Sequence, residues 1–310
     1  MSTTAVSSAA VQKQLKQGKV KKGIFSVIRH LVLALLAFIW LVPIAWLLLT
    51  SFSTDKGINF TRFVPESFTM WNYVSIMTQP DSVAQFPRWF MNTLVVACFN
   101  CVISTCFVLM VAYAISCCRF KGRKLLNTLF MAGLFINVNY IVVPIFLMLR
   151  DGDVWLKNHI GSGFLLNNLF VLAVVYAATA LPFTIYLLSG YFATLPHDFE
   201  EAAYIDGASY FSAMTRIIFP MAKPSIITII LFNFLSFWNE YIISMTLMSS
   251  TNAPRTLPVG LLNLMQAQQS AAQYGTMYAG LVLVMLPTLI LYICVQKQLT
   301  QGMTVGGLKG

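Results

Sequence analysis

The chain has 310 residues, of which 58% are hydrophobic and 10% charged, with a net charge of +10 at pH 7. A charged fraction so far below the usual quarter excludes an ordinary soluble domain and marks an integral membrane protein. The positive balance does not describe a nucleic-acid face, because Lys and Arg lie in short segments between apolar runs, where membrane orientation accounts for them.

Residues 1–28 carry Lys13, Lys16, Lys19, Lys21 and Lys22 without a hydrophobic period, and are expected to form a disordered cytoplasmic arm. Leu31 to Thr50 is the first membrane helix, too long for the core of a signal peptide. Ser53 to Pro87 reads as a polar outer segment with a short helix around Trp71, Asn72 and Tyr73. Helix two lies within Trp89 to Cys118, and Arg119, Lys121, Arg123 and Lys124 crowd the turn after it. Helix three is read over Leu125 to Leu149, followed by an outer loop to Phe164, and helix four over Leu165 to Tyr191. Helix five runs from Pro224 to about Met248 with Glu240 as its single charge, Ser249 to Gln273 is a mixed outer segment, and helix six covers Met277 to Val295. The expected fold is therefore all-α and integral to the membrane: six transmembrane helices in one domain over 29–295, then a polar cytoplasmic tail over 296–310.

Counting Lys and Arg by side, with the amino terminus inside, gives fourteen on inner segments and six on outer ones. That asymmetry places both termini in the cytoplasm. The six cysteines make no framework: Cys98, Cys101 and Cys106 lie inside one apolar run, Cys117 and Cys118 at its basic end, and Cys294 in the last run. No His or acid stands near them at metal-ligand spacing, so packing is their expected role, and neither a metal nor a cofactor is implied.

The stretch from Pro196 to Pro220 departs from this pattern, because it holds Asp198, Glu200, Glu201 and Asp206, four of the ten acids of the chain, between two apolar runs. Pro196 and Asp198 suit a helix start, and early carboxylates lie well against the positive end of the helix dipole. Gly207 supplies a residue that takes positive φ freely and should end that helix near Asp206. Ser209 can cap a second helix, which Pro220 and Pro224 would stop. Neither helix has the apolar surface to stand alone, so both require something to dock on.

Glu201-Ala202-Ala203, three residues, Gly207, nine residues and Ile217-Ile218-Phe219-Pro220 together resemble the EAA loop of the permease subunits of ABC importers, with Phe219 where that family usually has Leu. The ending Gly302-Met303-Thr304 to Lys309-Gly310, Phe237 to Tyr241, and Leu257 to Leu261 are similar to the MalG-like branch that serves carbohydrate importers. The resemblance covers roughly residues 70–310 and implies the MetI-like permease fold in a bacterial cytoplasmic membrane. It also implies the partners: a second homologous permease, two ATP-binding subunits and an extracytoplasmic sugar-binding protein. By position it makes Glu201 the acid that pairs with the ATPase, Ala202 and Ala203 the small residues allowing close approach, Gly207 the turn and Pro220 the end of the loop. Asp206 either adds to the acidic surface or helps to close the corner. Maltodextrin is the leading cargo that the resemblance suggests.

The chain offers no phosphate-cradling loop, since Gly302 to Lys309 lacks both the spacing and the strand-to-helix context. It is read as non-catalytic, with ATP hydrolysed by a partner. Polar groups inside the apolar runs are costly unless paired or facing water. Asn137, Asn139 and Tyr140, Tyr176, and Asn233, Asn239 and Glu240 are accordingly candidates to line a hydrated path, against the alternative of bonding between helices. Glu240 lies about 24 Å along helix five from Pro224, where pairing near the outer interface or a place beside an outer gate is favoured over proton coupling. The rival to an importer subunit is a secondary transporter driven by an ion gradient, which would call for paired intramembrane charges and inverted repeats.

Overall fold

In the computed structural model, residues 3–54, 64–78, 85–196, 198–250, 253–270 and 274–307 are described, with the backbone alone over 3–24, 267–270 and 297–307. Those residues form helices and their connections, apart from one isolated bridge between Ser53 and Phe68. Four helices contain continuous spans long and apolar enough to cross a membrane: α1 (Thr3–Ser51), α3 (Phe86–Cys117), α6 (Leu169–Phe192) and α13 (Tyr274–Gly307). Two bent pairs bring the total to the expected six. They are α4 (Arg123–Gly133) with α5 (Val138–Ile160), bent by 103°, and the helical stretch Tyr210–Met221 with α10 (Lys223–Trp238), bent by 77°.

The bundle is built on α3 and α6. Past Pro87 in its first turn, α3 has neither Gly nor Pro, and it ends only where Cys118 turns extended and the Arg123 guanidinium donates to the Ser116 carbonyl at 3.0 Å. Small and branched residues on the facing sides, among them Ala97, Val108, Ala112, Leu172, Ile185 and Leu188, pack with little or no exposure. Polar side chains tie the helices across the apolar contacts: Asn100 donates to the Ala173 carbonyl at 2.8 Å, and Ser116 to the Ser189 carbonyl at 3.0 Å. Asn233 of α10 donates to Ser104 at 3.2 Å and is buried. Interhelical bonding is therefore the role the structure gives Asn233, rather than a place on an open path.

The expected straight helix three is two helices meeting at a corner. Gly133 lies so close to α6 that a Cβ there would be 2.9 Å from Pro182 Cγ, and α4 stops at it. Asn137 then takes an extended backbone and its side chain accepts from the Asn139 N–H at 2.9 Å, starting α5 afresh. Helix α5 continues through most of the expected outer loop to Ile160, where Gly161 at φ +85° closes it. Buried Asp153 holds the return of the chain, accepting from the Leu165 N–H at 2.8 Å and pairing with Lys157 at 2.8 Å.

Other boundaries also differ from expectation. The backbone of the amino-terminal arm is helical from Thr3, continuous with α1, and that of the tail is helical as far as Gly307. Lys, Gln and Ala are good helix formers, so a polar segment that abuts a long helix extends it at little cost. The last part of the tail resemblance, Lys309 and Gly310, lies outside the described residues, as does His197. The short helix expected around Trp71 is present as α2 (Trp71–Thr78). Asn72 pins it to the end of α1, donating to the Ser51 and Ser53 carbonyls at 2.9 and 2.8 Å.

Within the expected outer segment, α12 (Leu257–Ser270) is a packed helix rather than a loop. Leu257, Leu261 and Leu264 join Ile76, Trp89 and Trp238 in one core cluster. Gly260 sits against Trp89 so closely that a Cβ would lie 2.2 Å from the indole ring. Gly260→Val should therefore force α12 off α3 and cost about 2 kcal/mol or more. A lowered thermal transition of the purified protein in detergent checks this, and an unchanged transition would mean that the α12 contact is not part of the cooperative core.

Candidate functional site: the acidic loop and the corner at Glu240

The loop after α6 begins with α7 (Asp198–Ile205), whose first turn holds Asp198, Glu200 and Glu201. Its end follows from Gly207 at φ +80°, where the Ala208 N–H bonds to the Ala203 carbonyl at 2.9 Å and the Gly207 N–H to the Tyr204 carbonyl at 3.0 Å. This pair of bonds is the Schellman closure, which satisfies carbonyls that the helix end would otherwise leave open. Asp206 continues the helical bonding, its N–H reaching the Ala202 carbonyl at 3.0 Å, and its side chain is exposed.

Ser209 caps the next helix by accepting from the Ser212 N–H at 3.3 Å, and α8 (Tyr210–Ala213) follows. The expected stop at Pro220 is instead a widened turn. A π-helical segment, Met214–Ile218, precedes α9 (Phe219–Met221), the Phe219 N–H bonds to the Met214 carbonyl, and the chain bends at Ala222 into α10. Proline at 220 has no N–H to give and its ring crowds the preceding turn, and a π turn accommodates both facts without ending the helix.

One face of the loop is fastened to the bundle and the other is bare. Glu200 is only 7% exposed and Ala203 4%, and Ala213 and Ile218 are buried. The Glu200 carboxylate lies beside Cys117 at the end of α3 and near Tyr113 and Tyr204. Burial raises the Tyr204 phenol above its ordinary value, and the nearby Glu200 charge adds to the rise. The Tyr204 and Tyr210 rings meet at 5.0 Å across the corner. Glu201, Ala202, Asp206 and Gly207 face outward together with Phe199, Ile205 at 85% exposure, Tyr210 and Phe211 at 70%. These exposed apolar side chains were not singled out from the motif. Their signal was present in the sequence as large apolar residues inside an otherwise acidic loop. Acids ringed by exposed aromatics and aliphatics form the composition of a docking surface rather than of a solvated helix.

The expected pathway residues are not brought together in one cluster. Asn137 caps α5, and Asn139 and Tyr140 are exposed in its first turn. Tyr176 is 1% exposed and donates to Glu240 Oε2 at 2.6 Å. Helix α10 ends at Trp238, short of the expected boundary. Asn239 follows it, exposed and donating to the Leu235 carbonyl, and α11 (Ile242–Leu247) starts after a break. Glu240 stands in that break and caps α11 with both oxygens: Oε1 accepts from the Ile243 N–H at 2.8 Å and Oε2 from the Ser244 N–H at 3.2 Å. A carboxylate is well placed there, because the first N–H groups of a helix lack partners and carry partial positive charge. Among the described residues no group of three or more metal-ligating side chains occurs.

Comparison with known proteins bears on this architecture. Residues 110–305 match the family described as "Binding-protein-dependent transport system inner membrane component". The chain is 30% identical over 283 residues to the diacetylchitobiose uptake system permease protein NgcG of Streptomyces coelicolor, covering 91% of this chain and 88% of that one. It is also 30% identical over 292 residues to the galactooligosaccharides transport system permease protein GanQ of Bacillus subtilis, covering 94% and 98%. The trehalose/maltose transport system permease protein MalG of Thermococcus litoralis is 30% identical over 276 residues, covering 89% and 94%. Among solved structures, a bacterial ABC transporter involved in the import of the acidic polysaccharide alginate superposes with a TM-score of 0.71 at 26% identity, covering 88% of this chain and 96% of that one. The matched family spans both the helical body and the acidic loop, and the chain is thus a member of the binding-protein-dependent transport system inner membrane component family, a permease subunit of the ABC-importer type.

Proposed function

We propose that the chain is one of two permease subunits of a carbohydrate ABC importer and that its acidic loop receives the motion of a cytoplasmic ATPase. The observation that carries this reading is the division of α7 into a face held by Glu200 and Ala203 and a face that presents Glu201, Ala202, Ile205 and Asp206 outward. The relatives named above are uptake permeases for diacetylchitobiose, galactooligosaccharides and trehalose or maltose, which supports an oligosaccharide cargo, with maltodextrin the leading choice. The family's description as binding-protein-dependent supports an extracytoplasmic binding protein as a partner. A second homologous permease and two ATP-binding subunits complete the assembly, and the loop, with both termini, lies on the cytoplasmic side.

ATP-driven closure of the ATPase pair would pull on the docked loops, and two arrangements of the bundle with different affinity for the closed ATPases would exchange. Asn137, Asn139, Tyr140 and Asn239, at the two corners, line the path in this proposal, and Tyr176 and Glu240 hold the second corner shut from inside. The ion-gradient alternative finds no support, because the one acid of helix five spends its carboxylate on capping α11. Purification of the tagged chain from cells that co-express its partner subunits tests the reading. A stoichiometric ATPase and ATP-dependent uptake of labelled oligosaccharide are expected, and ion-dependent uptake by this chain alone would overturn it.

A further inference from the structure

Two hollows lie end to end on one face of α6. The first, of about 450 Å³, is at the α7 end of the bundle and is lined by Ser116, Arg123, Lys124, Asn127, Tyr186 and Gly190, among others. The second, of about 550 Å³, is lined by apolar side chains from α5 and α6, including Ile141, Ile145, Val174 and Ala178, with the Thr179 hydroxyl as the one polar side chain in it. Along α6 the lining residues recur every three or four positions, as Val171, Val174, Ala178 and Pro182 in the second hollow and Tyr186, Ser189 and Ala193 in the first. Residues at that spacing share a face of the helix, so the hollows are two stretches of a single groove. Its waist is the crossing where Gly133 meets Pro182.

The groove is charged at one end and greasy at the other. Arg123 and Lys124 open α4, where the helix dipole adds to their positive potential. Arg123 gives one N–H to the Ser116 carbonyl and keeps the rest of its fork, and Lys124 is exposed. Among the described residues, no acidic side chain lines either hollow. Met131 and Tyr186 beside the first hollow, and Ile136, Met148, Phe170 and Val174 beside the second, are exposed on the outside of the chain, so the groove opens sideways.

We propose that this groove binds an anionic phospholipid, with its phosphate on Arg123 and Lys124 and an acyl chain laid over the waist into the apolar hollow. Basic pockets between membrane helices at one leaflet are suited to such head groups. A zwitterionic lipid would bring its ammonium toward two cations and an uncapped helix start, and loses by that repulsion. The head group so placed rests against the turn in which Arg123 clamps the end of α3, the same helix end that holds Glu200 of α7. Occupancy would stiffen the support of the acidic loop.

The test is native mass spectrometry of the full chain, assembled with its co-expressed partner subunits, after addition of phosphatidylglycerol or phosphatidylethanolamine with matched chains. Phosphatidylglycerol should be retained at least tenfold better. Arg123→Gln with Lys124→Gln should lower that retention by about twenty-fivefold, or about fivefold for each charge. Gly190→Leu should lower it without altering charge, because a Cβ at Gly190 meets nothing within 4 Å and the side chain can grow into the pocket without strain. Six-carbon chains on the same head group should bind more weakly than long ones. Equal retention of the two lipids, retention indifferent to all three substitutions, or displacement by millimolar inorganic phosphate would each overturn the proposal. Binding to the chain alone that disappears in the assembly would also overturn it, and would assign the groove to a neighbouring subunit.

Discussion

Glu201→Lys should reduce ATP-driven uptake by about a hundredfold or more while leaving the chain folded in the membrane. The side chain is exposed on the outward face of α7, so the substitution disturbs no contact within the chain. At the partly buried ATPase interface proposed above, it would replace attraction by repulsion and strand a desolvated cation on the partner, a change of about 3–5 kcal/mol. The neighbouring acid provides the control. Glu200 is buried against the end of α3, so Glu200→Lys should instead lower the yield and thermal transition of the protein itself. Gly207→Val should join Glu201→Lys by another route: its φ of +80° is strained for a β-branched residue, and loss of the Schellman bonds would swing the outward face away. ATPase co-purification and labelled-sugar uptake, measured side by side, separate these classes. Full uptake by both Glu201→Lys and Gly207→Val would remove the coupling role from the loop.

Glu240→Ala is expected to be strongly destabilising at the corner between α10 and α11. It removes the acceptor of the buried Tyr176 hydroxyl and both caps of α11 at once. Hydrogen bonds to a charged group contribute about 1.5–3 kcal/mol each, so the loss of all three is expected to cost about 4.5 kcal/mol or more, to which the unpaired Tyr176 hydroxyl adds. Tyr176→Phe deletes one of the three bonds and leaves no orphaned donor, so it should cost only about 1.5–3 kcal/mol. Thermal unfolding of both variants in the same detergent tests the network. Similar small shifts for the two would mean that the cap contributes little and that the corner is held by packing alone, for example by the stacked rings of Tyr176 and Phe237 at 5.5 Å.

The long spans were legible in the sequence because hydropathy reports how much apolar chain is continuous, and α3, α6 and α13 contain little to interrupt it. The two corners were not, because a cap changes direction without changing hydropathy. Asn137 stands out as a polar residue in an apolar run, and hydropathy does not show that its side chain also satisfies the N–H of Asn139 and so starts a new helix. Gly133, four residues before it, was the available stop signal. Glu240 posed the same problem, made harder because Tyr176, its donor, is 64 residues away and nothing local announces the pair. The acidic loop was the most legible part, since Gly207 has the positive φ expected of it. The motif gave no reason to separate Glu200 from Glu201, however. That distinction follows from which of two adjacent side chains meets the end of α3, a matter of helix phase that appears only once the bundle is assembled.

The first span has a different standing in the energetics of the chain. Within Phe25–Ser51 the most apolar stretch buries none of its residues, and the helix is held at one end, by Trp46 against Tyr278 at 5.4 Å and by Ser51 against Tyr73 at 2.6 Å. Cooperative unfolding arises from shared buried contacts, and over Phe25–Ser51 such contacts are confined to the Ser51 end. A denaturation curve of the isolated chain would therefore report the body from α2 to α13 and pass over α1 nearly in silence. A substitution such as Leu36→Ala would register in that curve only after another subunit or a tightly held lipid had been added to cover the helix.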